Sequence, residues 1–176
     1  SSLTNFSLPD SVTSIGYDAF NGCTNLTSVT IPKNVASIGN RALTRCTNLE
    51  EILVSPDNES ITSLNGILFD VSETKLISYP AKKILDFYEV PIGVTEIAQE
   101  AFVGCTNLTN VGLPDGISII GSSAFEGCTN LTSISLPDSL TSLKSSTFKD
   151  CNNLITISIP DNIDTSPNNF FENCSS

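Results

Sequence analysis

Residues 15–26 read Ile-Gly-Tyr-Asp-Ala-Phe-Asn-Gly-Cys-Thr-Asn-Leu, and parts of this string return along the chain at a fixed interval. Cysteine falls at Cys23, Cys46, Cys105, Cys128, Cys151 and Cys174, so every step is 23 residues except one of 59. Proline keeps the same beat at Pro9, Pro32, Pro91, Pro114, Pro137 and Pro160. So does a small residue followed by a large apolar one, as Ala19-Phe20, Ala42-Leu43, Ala101-Phe102, Ala124-Phe125 and Thr147-Phe148. Registered on their first leucine, the units are modules 3–25, 26–48, 49–84, 85–107, 108–130, 131–153 and 154–176. Six are 23 residues long and the third is 36. Self-similarity at such a period marks an array of stacked units in a single domain.

The columns set the physics of each unit. In the second module Val29 and Ile31 alternate with polar residues, as a short half-buried strand requires. Pro32 follows directly and, lacking an N–H, ends the ladder. Val35 to Ile38 form the opposite wall, and Gly39 to Cys46 read as a short helical or 3-10 turn that buries Ala42, Leu43 and Cys46. One module cannot fold alone. Its apolar positions gain roughly 1.5–3 kcal/mol each on burial, against roughly 1–2 kcal/mol for ordering each backbone residue. Stacking joins the strands into a parallel sheet and buries the faces between modules, so the expected fold is a right-handed repeat solenoid.

The third module departs from the period by 13 residues. After Leu49, Ile52 and Val54 it carries Leu64 to Phe69 and Lys75 to Pro80, two apolar runs joined through Asp70 to Thr74. These predict a β-hairpin on the convex side or flank of the stack.

The strings Leu131 to Leu143 and Ile15 to Leu26 resemble BspA-like leucine-rich repeats, and the resemblance spans essentially the whole chain. It implies a leucine-rich-repeat solenoid from a surface or secreted protein, with adhesion to host proteins or to other cells as the expected role. A long module of this kind is an ordinary variation in that family. Solenoids host many partners, so the fold carries over more firmly than the function.

Composition narrows the remaining classes. The 176 residues carry a net charge of −11, with 8 Lys and Arg against 19 Asp and Glu. That balance excludes phosphate-backbone binding and attraction to an anionic membrane surface. No apolar run approaches the roughly 20 residues needed to span a bilayer. The start at Ser1-Ser2-Leu3-Thr4 shows no signal peptide, which leaves a processed product or an excised fragment. With no His in the chain, a Cys nucleophile lacks its usual base and a zinc site lacks half its usual ligands. No G-x-S-x-G context is present. An enzyme, a metal centre and a bound cofactor are therefore not expected.

The cysteine column reads as buried free thiols filling space. Equivalent residues one strand spacing apart, about 4.8 Å, point in parallel and stand slightly too far apart to bridge. Neighbours such as Cys128 and Cys151 are the disulfide alternative. Asp10, Asp115, Asp138 and Asp161 share a column after proline, a turn signature first and a calcium ladder second. Sequons at Asn5, Asn25, Asn58, Asn107, Asn130 and Asn173 partly follow from the repeated Thr-Asn-Leu-Thr string. Lys33, Arg41, Arg45, Lys75, Lys82 and Lys83 gather six of the eight basic residues on one stretch, either a solvated face or a steering surface for an acidic partner.

In the strand pattern Leu-x-x-Val-x-Ile the three apolar positions point inward, so the third and fifth positions face solvent. Five modules present small polar groups there, such as Ser28, Thr30, Ser133 and Ser135. Modules three and four instead present Glu51 and Leu53, then Phe87 and Glu89. Exposed apolar groups ringed by acids make these four the candidate contact for a protein partner. A passive spacer and a glycan-binding module are the alternatives. Neither terminal unit reads as a polar cap, which predicts a fragment of a longer array or an assembly that covers its ends.

Overall fold

The computed structural model describes residues 4–163 and 169–174; Leu3, where the first module begins, and parts of the last module lie outside them. Short strands alternate with turns along the chain. They are β1 (Asn5–Ser7), β2 (Ser14–Ile15), β3 (Ser28–Ile31), β4 (Ser37–Ile38) and β5 (Glu51–Val54). The long module then supplies β6 (Ile61–Leu64), β7 (Ile67–Asp70) and β8 (Lys75–Ser78). Beyond it run β9 (Phe87–Glu89), β10 (Glu96–Ile97), β11 (Asn110–Gly112), β12 (Ile119–Ile120), β13 (Ser133–Ser135), β14 (Ser142–Leu143) and β15 (Thr156–Ser158).

Each of the first six turns contributes one strand to each of two walls, and the seventh gives β15 to the first. The first wall holds β1-β3-β5 and, separately, β9-β11-β13-β15, all parallel. The second holds β2-β4 and, separately, β8-β10-β12-β14, also parallel. Partners are one module apart throughout, as in Asn5 with Ser28 and Phe87 with Asn110. Proline after the first strand turns the chain, and its carbonyl accepts from the N–H three residues on, as from Val35 to Pro32 at 3.3 Å and from Ile117 to Pro114 at 3.1 Å.

The corner after the second wall corrects one expectation, because no helix is present among the described residues. Two columns of left-handed backbone forbid it. One holds Asp18, Arg41, Glu100, Ser123 and Ser146, and the other Gly22, Arg45, Gly104, Gly127, Asp150 and Asn173, all with φ between 54° and 72°. Alternate N–H groups then leave the turn. Ala19, Asn21 and Cys23 donate three residues back, to Gly16, Asp18 and Phe20, while Asp18, Phe20 and Gly22 donate to Asn40, Ala42 and Thr44 of the next module. The corner is a third hydrogen-bonded ladder along the stack.

Like side chains pile up inside, as the period requires. The rings of Phe102 and Phe125 stack at 4.9 Å and 14°, Phe125 and Phe148 at 5.5 Å and 7°, and Phe148 and Phe171 at 5.7 Å and 10°. Tyr79 heads this column, 5.0 Å from Phe102. Polar columns serve the stack as well. The side chains of Thr109 and Thr132 donate to the carbonyls of Asp86 and Thr109, and those of Asn48 and Asn130 to Thr24 and Thr106. The repeated Thr-Asn-Leu-Thr string is thus a set of bonds between turns.

The long module does carry the expected hairpin between β7 and β8. It is no flank ornament, however. A strand not foreseen, β6, pairs antiparallel with β7 around Asn65 and Gly66, both left-handed at φ 52° and 76°. Strand β8 enters the second wall beside β10, and β7 divides the interior. Leu68 packs with the core of the first three modules, whereas Ile67 and Phe69 pack with the core of the rest. All three are essentially fully buried.

Candidate functional site

The outer face of the first wall is interrupted where the long module enters. In an unbroken stack β9 would pair with β5. Instead the hairpin tip takes the edge of β5, with the Ile52 N–H donating to the Gly66 carbonyl at 2.9 Å and the Val54 N–H to Ser63 Oγ at 3.0 Å. The tip lies close on the strand, since a Cβ on Gly66 would stand 2.9 Å from that of Glu51.

Strand β9 is left as an edge. Among the described residues β11 is its sole strand partner. The bonds flanking that ladder run from Thr109 N–H to the Asp86 carbonyl at 2.7 Å and from Val90 N–H to the Gly112 carbonyl at 2.9 Å. Backbone groups alternate sides along a strand. Residues 86, 88 and 90 therefore address β11, and Phe87 and Glu89 turn their N–H and C=O groups towards the break.

The four residues singled out by the pattern lie on the two strands that flank it. Glu51 and Leu53 project outward from β5, and Phe87 and Glu89 from β9, all exposed. Phe87 is 50% exposed and Leu53 40%, so the long module covers neither. Between the alternating positions Ile52 is fully buried, as its column requires, and the Tyr88 ring packs inward at 5.0 Å from Tyr79. The Glu89 carboxylate leans along the sheet over Gly112, in the space a Cβ there would fill.

One inward expectation fails at the same place. Leu26, Leu49, Leu108 and Leu131 are buried, but the equivalent Leu85 is 41% exposed and its neighbour Ile84 84% exposed. Their usual cover, the preceding turn, has been diverted into the hairpin. Ile84 and Leu85 line an open cleft of about 610 Å³ with Glu50, Glu51, Asn65, Lys82 and Lys83. Strand alternation could not reveal this, because it says which face a residue occupies and nothing about the neighbouring turn.

The basic stretch is largely spent on internal contacts. Arg41 Nε stands 3.2 Å from Asp18 and 3.4 Å from Glu100, Arg45 pairs with Glu126 at 3.7 Å, and Lys75 with Glu96 at 2.6 Å. Lys83 donates to the Asn65 carbonyl at 2.6 Å, tying the cleft's lower lip to the hairpin tip. Arg41 passes over module three to reach module four, and Glu100 beside it favours the charged guanidinium.

The cysteines are free thiols. Each Sγ of Cys46, Cys128, Cys151 and Cys174 donates to a carbonyl one turn back, at Phe20, Phe102, Phe125 and Phe148, all at 3.1 Å. Burial pushes the Cys46 thiol up to about 11 and Cys151 up to about 12, and raises Cys105 and Cys128 as well. Such thiols are poor nucleophiles. The Asp column is exposed at Asp10, Asp115, Asp138 and Asp161, and no group of three or more His, Cys, Asp or Glu side chains that could hold a metal ion occurs among the described residues. No helix among them is long and apolar enough to cross a membrane.

Congruent turns, parallel walls and a stacked aromatic column define a leucine-rich-repeat β-solenoid. The chain belongs to the BspA-type leucine-rich repeat region family, whose model matches residues 1–86 and 79–176 in six copies. Among solved structures it is similar to the pneumococcal vaccine antigen PcpA, at 26% identity and a TM-score of 0.81 over 97% of this chain and 54% of that one. It is also similar to a leucine-rich cell surface protein from Faecalibacterium prausnitzii, at 26% identity and a TM-score of 0.68 over 92% of this chain and 55% of that one. A leucine-rich repeat protein from Eubacterium ventriosum shares the fold at 23% identity and a TM-score of 0.68, over 90% of this chain and 55% of that one. The chain thus spans about half the length of these structures. No curated protein matches the sequence.

Proposed function

We propose that the chain is a protein-binding module of a cell-surface or secreted adhesion protein, with no catalytic role, and that its contact is centred on Glu51, Leu53, Phe87 and Glu89. The observation that carries this reading is the exposure of Phe87 and Leu53 beside the break, at strand positions that the other described modules fill with Ser, Thr, Asn or Gly. Exposed aromatic and aliphatic groups ringed by acids suit a desolvated interface centre with a polar rim. Membership of a repeat family supports a binding scaffold, and a similar structure is that of a cell surface protein.

The test is an array of extracellular and serum proteins probed with the wild type and with Leu53→Ala/Phe87→Ala. The double variant is expected to lose binding to any specific partner with an unchanged melting temperature. Undiminished binding removes this site, and an array with no specific partner favours a passive spacer.

A second reading has its own observation. Beside Glu89, a shallow groove of about 480 Å³ is lined by Asn110, Asp115, Ser133, Ser135, Thr156 and Ser158, a hydroxyl-rich surface suited to a glycan. Binding to a sugar array that survives Leu53→Ala/Phe87→Ala and fails on Ser133→Val would favour it.

A further inference from the structure

We propose that the edge of β9 is a docking strand, at which an extended peptide of a protein partner, apolar at alternate positions and basic between them, adds to the four-stranded outer sheet. The proposal rests on the protein-binding reading above and specifies how the partner is held.

Three observations converge on it. First, the edge is asymmetric. The hairpin tip supplies the Gly66 carbonyl and Ser63 Oγ to β5, while β9 has no strand partner on that side among the described residues. The N–H and C=O groups of Phe87 and Glu89 therefore face an open break, and an unpaired strand edge is a template for another strand. Second, there is room beside it. The cleft lined by Glu50, Glu51, Lys83, Ile84 and Leu85 opens at the start of β9. Its apolar floor, Ile84 at 84% and Leu85 at 41% exposed, would be covered by an added strand as the preceding turn covers the equivalent leucines. Third, the charge has a sign. Glu50, Glu51, Asp86 and Glu89 surround the break and are all exposed, against Lys82 and Lys83, of which Lys83 already serves Asn65. On a chain of net charge −11 this favours basic residues between the apolar ones.

No proline, bulge or lysine occupies β9 itself, whose residues are Phe87, Tyr88 and Glu89. In strand addition the backbone bonds supply affinity and alternate side chains supply selectivity. Phe87, outward on the same strand, would flank an apolar side chain of the incoming peptide.

The experiment uses the whole chain and a synthetic heptapeptide of alternating lysine and valine, capped at both ends, with its glutamate–valine counterpart as control. Amide exchange at Phe87 and Glu89 is expected to slow about tenfold on saturation with the basic peptide, and the acidic peptide to bind at least about tenfold more weakly. Glu89→Pro deletes an N–H that β11 does not use, so it should fold with a melting temperature within about 2 °C of the parent and lose the peptide, whereas Glu89→Gln should keep it. Independently of any variant, methylating the peptide nitrogens on alternate residues should abolish binding in one phase and spare it in the other.

Equal binding of the peptide by Glu89→Pro, indifference to the methylation phase, or protection that maps to Asn110–Ser135 instead would overturn the proposal. So would dimerisation seen by light scattering and abolished by Glu89→Pro, which would assign the edge to a second copy. If Leu53→Ala/Phe87→Ala loses an array partner that Glu89→Pro retains, strand addition falls and the broader binding site stands. If both variants retain it, both fall.

Discussion

The amide of Ile52 donates to the carbonyl of Gly66 at 2.9 Å, so the tip of the β6–β7 hairpin holds the place that the following turn holds elsewhere. That substitution ends one outer sheet and leaves the next with an open edge. It depends on a tip narrow enough to lie on β5.

Gly66 meets that demand twice, with φ at 76° and with only 2.9 Å between its would-be Cβ and that of Glu51. Gly66→Ala should therefore cost about 1–3 kcal/mol, from left-handed strain and from crowding. For an array of this size that lowers the melting temperature by several degrees, about 2–4 °C per kcal/mol. A melting curve superimposable on the parent's would show that the tip is not held as described.

Much of this was legible in the sequence. The 23-residue spacing of the cysteines and prolines gives the modules, and the alternation at Val29 and Ile31 gives a strand with Thr30 outward. The same reasoning placed Leu53 and Phe87 in solvent, where they are. The corner was not legible, because Gly39 to Cys46 spaces its apolar residues as a helical turn would, and nothing about Arg41 or Glu100 announces left-handed backbone. Asn65-Gly66 was a hairpin signal in plain sight, and Ile61 to Leu64 ahead of it completes the pair. The sheet break itself lies beyond any local pattern. Which strand pairs with β9 depends on where 13 extra residues travel, and the exposure of Leu85 follows from that path and not from its column.

Phe125 sits between Phe102 and Phe148, with ring centroids 4.9 and 5.5 Å away and no exposed surface. Phe125→Ala opens a cavity in the middle of the column and should cost about 3–5 kcal/mol. Phe125→Leu should cost less than about 1.5 kcal/mol, since Leu43 fills the same column in module two while remaining buried. Urea unfolding of both variants tests this, and a loss for Phe125→Leu as large as that for Phe125→Ala would show that the column demands an aromatic ring and not merely apolar volume.

Tyr79 is the one hydroxyl-bearing ring in the column, 4% exposed, and its hydroxyl finds no hydrogen-bond partner among the described residues. Burial raises its pKa well above the ordinary phenol value, with Cys105 and Tyr88 adding to the effect. A buried polar group without a partner costs about 1–3 kcal/mol in mutational data. Tyr79→Phe should consequently stabilise the array while preserving the 5.0 Å stacking on Phe102. A drop in melting temperature would mean the hydroxyl is satisfied after all.

The thiol column predicts how stability responds to alkali. Burial holds Cys46 at about 11 and Cys151 at about 12, against 9.0 for the unhindered group, and raises Cys105 and Cys128 as well. A pKa raised on folding means that the folded chain keeps protons the unfolded chain releases. Its contribution is complete below the unfolded value and is lost as pH climbs from there through the folded one. The urea midpoint should stay level from about pH 7 to 8.5 and fall steeply from about pH 9 upwards. Tyr88, raised by burial to about 12, titrates in the same sense and would steepen the upper end. Cys151→Ala separates the two contributions. It should be weaker than the parent at neutral pH, having lost a buried side chain and its bond to the Phe125 carbonyl, yet should decline less steeply above pH 9. Below that pH the parent's buried thiols should react with a thiol-specific disulfide reagent no faster than the array opens, because the thiolate is the attacking species. Rapid labelling of Cys128 in the folded array, or a variant whose alkaline slope matches the parent's, would show that protonated thiols are not part of what holds the turns together.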